Sequence, residues 1–66
     1  MKIIEKLSDK IEKEMDCAED YVKCALYYKD ERKPLADVFY RIADEKMGHV
    51  NLLHTQVVAI IDEYRK

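Results

Sequence analysis

Structural punctuation is nearly missing from this chain, whose 66 residues hold one glycine and one proline. The only plausible interruption is Lys29-Asp30-Glu31-Arg32-Lys33-Pro34. No apolar run approaches the roughly 20 residues needed to cross a bilayer. Nor does one sign of charge dominate, since 12 basic and 14 acidic residues are interleaved, for a net charge of −2. A nucleic-acid binder would present a basic face, and this pattern has none. The two cysteines, Cys17 and Cys24, form neither a C-x-x-C nor two Cys pairs, which argues against a zinc site. The acidic Glu5, so close to Met1, argues against a secretory signal. The expected location is cytoplasmic, with both thiols reduced.

What is present is apolar residue at helical spacing. The composition is 48% hydrophobic, far above that of a disordered chain. The length allows one small domain, 1–66, and the expected fold is all-α. Proline suits the first turn of a helix and biases the preceding residue away from helical angles. The break therefore divides an antiparallel hairpin into helices over about 2–30 and 34–65. Two helices cannot enclose a core by themselves, so the apolar surface has to meet another copy or another protein. The expected partner is the chain itself, in a homodimer or higher oligomer, with no nucleic acid and no membrane.

At about 100° per residue, the first helix carries a stripe of Ile4, Leu7, Ile11, Glu14, Ala18, Tyr21, Ala25 and Tyr28. Met15, Val22 and Leu26 widen one flank. The second helix carries Leu35, Phe39, Ile42, Lys46, His49, Leu53, Gln56 and Ile60, with Val50, Val57 and Tyr64 alongside. This heptad-like spacing suits near-parallel packing at roughly 20°. Two hairpins face to face would make a four-helix bundle. Gly48 reads as a tolerated helical glycine, placed for another backbone to come close.

Three members of these stripes are out of place. Glu14, Lys46 and His49 are polar or charged where the faces should be apolar, and burying charge is costly unless it is paired or bound to metal. With the turn near residue 32, Glu14 lies 18 residues before it and His49 17 after it, at about the same height. A carboxylate and an imidazole from facing helices are what a first-row metal site in a bundle core needs.

Glu14-Met15-Asp16-Cys17-Ala18-Glu19-Asp20-Tyr21 is similar to the first metal-ligand helix of ferritin-like proteins, where the ligand Glu precedes an aromatic by seven positions. Ala43-Asp44-Glu45-Lys46-Met47-Gly48-His49 resembles their second ligand helix, whose signature is Glu-x-x-His. The hairpin as a whole, from about Ile11 to Tyr64, most resembles the half-size members that dimerise to complete a di-iron centre, such as encapsulated ferritins and short rubrerythrin-like proteins. The resemblance implies metal ligation by Glu14 and His49, with iron or manganese bound and ferroxidase-type activity if the site is intact. One position departs from the pattern. Lys46 stands where the family has Glu, and Glu45 points about 100° away and is a poor substitute. An ammonium repels the cations that a bridging carboxylate would hold together, so the di-iron centre is expected to be lost or badly weakened.

Each of these residues also has an ordinary structural reading. Glu14 is a solvated residue if the helix phase is shifted. The Lys46 stem can cover apolar surface while its amine reaches water. His49 alone is more often a hydrogen-bonded core histidine. His54 is expected at the surface, Cys17 and Cys24 as small packing residues, and Glu12, Asp16 and Glu19 on a solvated face. The five tyrosines read mainly as packing, with Tyr21 best placed to hydrogen-bond into the polar layer. Two functions stay open. One is a ferritin-like oligomeric module with a degenerate di-iron site, structural or adaptor-like, and no enzyme. The other is a working half-ferritin that binds or oxidises iron through Glu14 and His49, with a rotated Glu45 as a further candidate ligand. Lys46 favours the first. A weaker third reading is a two-helix segment that docks on a different protein.

Overall fold

A computed structural model describes residues 1–65 as two helices, α1 (Lys2–Tyr28) and α2 (Lys33–Arg65), packed as a hairpin. The expected all-α hairpin is therefore present, with its break within two residues of the expected position. The connection is made by helix-like backbone. Lys29 keeps right-handed helical angles (φ −56°, ψ −32°), and the Arg32 amide donates to the Tyr28 carbonyl at 2.8 Å. The Arg32 carbonyl in turn accepts from the Ala36 amide at 3.0 Å, closing the first turn of α2. Pro34 lies in that turn, where a missing N–H costs no helical hydrogen bond. Aromatic rings lock the adjoining turns: Phe39 lies 6.0 Å from Tyr21 and 6.3 Å from Tyr28, centroid to centroid.

The seam between the helices is built on small residues. Ala18, Ala25, Ala36 and Ala43 are buried, joined by Val50. Alanine lets two backbones approach closely, and larger side chains then flank the contact instead of filling it. On α1 the more protected residues are Ile4, Leu7, Ile11, Glu14, Ala18, Tyr21, Ala25 and Tyr28, the whole of the expected stripe. On α2 the stripe is turned by one position. The seam runs through Ala36, Phe39, Ala43, Lys46, Val50, Leu53, Val57 and Ile60, while Leu35, His49 and Gln56 are exposed and Ile42 is half-buried. The expectation of a seam through Leu35, Ile42, His49 and Gln56 is thus corrected. The close alanine contact, not the bulk of leucine and isoleucine, sets the phase of α2.

Little is enclosed. Among the described residues no large side chain is fully buried, and the hairpin measures 54 × 15 × 10 Å. It exposes 5460 Å². A compact monomer of its 7.9 kDa mass would expose about 4400 Å². Among the described residues no helix is long and apolar enough to cross a membrane. Gly48 marks no close approach within the hairpin, because a Cβ added there would meet nothing within 4 Å.

Candidate functional site

Halfway along the hairpin, the alanine seam is interrupted by charge. Glu14 reaches across from α1, and Lys46 and His49, one turn apart on α2, converge on its carboxylate. Lys46 Nζ lies 3.3 Å from Glu14 Oε2, and His49 Nδ1 lies 3.4 Å from Glu14 Oε1. The expected common level of these residues is therefore found within one chain. Glu14 and Lys46 are each about a quarter exposed at the side chain, whereas His49 is half exposed at 53%. The histidine approaches from the rim, as the turned phase of α2 requires.

The contact with Lys46 is an ion pair without the alignment of a hydrogen bond, and Glu14 Oε2 is buried with no hydrogen-bond partner among the described residues. Loss of water pushes the Glu14 carboxyl pKa up, but the Lys46 ammonium and then the His49 imidazole outweigh it. The net result lies below the ordinary 4.5. Lys46 is held above its ordinary 10.5 chiefly by Glu14, against the opposing loss of water, with Cys17 and Tyr21 adding to the effect. Both groups are thus charged across the neutral range, and the His49 contact becomes an ion pair only when the imidazole is protonated.

Other residues singled out by the sequence fall elsewhere. Glu45 is exposed, and among the described residues no three His, Cys, Asp or Glu side chains gather as a metal site. His54 is exposed, as are Glu12, Asp16 and Glu19, with Glu19 in a surface pair with Lys23 at 3.4 Å. Tyr21 packs against Phe39, and no side-chain hydrogen bond links it to Glu14. Cys17 and Cys24 are both exposed and line, with Asp20 and Tyr21, a shallow groove of about 260 Å³ on one flank of α1.

The donor set of one hairpin is a poor fit to a di-iron centre. It offers one carboxylate and one imidazole, and the ammonium of Lys46, 3.3 Å from that carboxylate, would repel a cation held there. Sequence reasoning reached all three residues, through their polar character on an apolar stripe. It did not reach the half-exposed position of His49, because alanine carries too little hydrophobic weight to reveal the true phase. No family model matches the chain, and no curated protein or solved structure was found to be similar to it.

Proposed function

We propose that the chain is a ferritin-like homo-oligomeric module, two hairpins forming a four-helix bundle, in which an internal ion pair takes the place of metal. Its role on this reading is structural or adaptor-like. The observation that carries the proposal is the Lys46 ammonium 3.3 Å from the Glu14 carboxylate. It supplies, beside the carboxylate, the positive charge that a metal would otherwise bring. On this reading the second hairpin covers the face bearing Glu14, Lys46 and His49, beside the half-buried Ile42 and Leu53.

A second reading, the working half-ferritin, is favoured by one contact: His49 Nδ1 stands 3.4 Å from Glu14 Oε1, so a carboxylate and an imidazole are already adjacent. Iron titration followed by elemental analysis separates the two. The unmodified chain is expected to bind Fe(II) weakly. Lys46→Glu restores Glu-x-x-His, giving a two-fold dimer four carboxylates and two imidazoles, the ligand set of a di-iron carboxylate bundle. That variant is expected to bind about two irons per dimer. Tight binding of two metals per dimer by the unmodified chain would establish the half-ferritin instead. Failure of both chains to bind would limit the ferritin resemblance to the fold.

A further inference from the structure

The opposite face of the hairpin carries a different kind of surface. Between the helices runs an open groove of about 520 Å³ whose floor is the alanine pair Ala18 and Ala43. Met15 and Val22 wall it on α1, Tyr40 and Met47 on α2, and each of the four is between 36% and 49% exposed. Both wall pairs are spaced seven residues apart, so the groove repeats at the period of a packed helix, every 10 Å or so. Its rim is of one sign. Asp16, Glu19 and Asp44 line it, and among the described residues no cation does. Glu19 has an exposed partner in Lys23, while Asp16 and Asp44 are in no ion pair among the described residues.

These features select an occupant. A second copy seated here by two-fold symmetry would set the same patch against itself, bringing six carboxylates into one interface, four of them (two Asp16 and two Asp44) without an ion-pair partner among the described residues. Repulsion of that kind disfavours self-association through this face. The face bearing Glu14, Lys46 and His49 mixes both signs and has no such conflict. We infer that the groove is a docking site for a basic amphipathic helix of another protein. Its apolar residues, at spacings of three, four and seven, would enter between Met15, Val22, Tyr40 and Met47, and its Lys or Arg side chains would meet Asp16, Glu19 and Asp44. Methionine suits such a wall because its flexible thioether adapts to varied side chains. The inference goes beyond the bundle proposal and uses surface that the bundle leaves free.

The test is fluorescence anisotropy with labelled helical peptides of about 20 residues, long enough to hold a helix in water. One peptide has leucine at the core heptad positions and lysine elsewhere, and its control has glutamate in place of lysine. The lysine peptide is expected to bind the wild-type protein at one per hairpin, about tenfold or more tighter than the control at low salt. Added salt is expected to narrow that gap. Asp16→Lys with Asp44→Lys should invert the preference, with unchanged helicity by circular dichroism; both positions are exposed. Met15→Ser with Met47→Ser should weaken the lysine peptide without altering helicity. No binding, equal binding of the two peptides, or a preference that survives the charge reversal would overturn the inference. So would a change in oligomeric state on reversing the two charges, which would make the groove an interface between copies. Light scattering on the unliganded wild type reads the bundle separately, so failure of one proposal is not mistaken for failure of the other.

Discussion

Lys46 and Glu14 are each tolerable near the seam only because of the other. The ammonium removed from water is matched by a carboxylate 3.3 Å away, and that carboxylate's other basic neighbour among the described residues is the His49 imidazole at 3.4 Å. Removing one partner leaves the second partly desolvated and unmatched, a change more costly than removing both. Lys46→Met alone is therefore expected to lower the urea midpoint more than Glu14→Gln with Lys46→Met together. A harmless single change would make Lys46 an independent surface residue. The same pair carries a pH signature with a definite sign. The Glu14 carboxyl is depressed on folding, so its contribution is present above pH 4.5 and is lost as pH falls through the lower folded value. The Lys46 amine is raised, so its contribution is present below pH 10.5 and is lost as pH climbs through the higher folded value. Wild type minus double variant should accordingly show a stability difference that shrinks below the first limit and above the second. A difference that persisted unchanged outside both limits would show that the pair makes no contribution.

At the scale of the helices, the alanine seam decides what can change. Ala25 is fully buried between the two backbones. Ala25→Leu must push the helices apart or force strained rotamers, and is expected to cost about 1–3 kcal/mol by thermal or urea unfolding. Gly48 gives the opposite case, a helical glycine with open space where its Cβ would be. Gly48→Ala is expected to stabilise by about 0.5–1 kcal/mol, because the unfolded chain loses freedom while the folded one loses nothing. A destabilising Gly48→Ala would mean that another backbone comes against this position in the assembled protein. The contrast also explains what was legible in the sequence. The α1 stripe could be read fully because its large apolar residues and its alanines share one face. On α2 the two signals diverge. Leu35 and Ile42 pull the apparent face one way, Ala36 and Ala43 the other, and close backbone contact wins. Glu14, Lys46 and His49 survived that ambiguity because their heights along the hairpin depend on distance from the turn, not on helical phase.

For the whole molecule, surface area is the argument. The hairpin exposes 5460 Å² where a compact chain of its mass exposes about 4400 Å². The excess, about 1000 Å², is close to the roughly 800 Å² each partner buries in a stable protein–protein interface. Among the described residues no side chain larger than valine is buried, so burial within one hairpin is unlike that of a self-sufficient core. On the proposed bundle, folding and association are one event, and stability should rise with protein concentration. Ile42 and Leu53 are half-buried on the flank that carries Lys46 and His49, and each has surface left for a second hairpin. Ile42→Asp or Leu53→Asp is expected to dissociate and unfold the protein together, as light scattering and circular dichroism lose mass and helicity at the same denaturant concentration. The wild-type midpoint should move upward as concentration is raised through the micromolar range. A midpoint independent of concentration, with a helical monomer by light scattering, would show that the alanine seam suffices alone and that the four-helix bundle is not the working form.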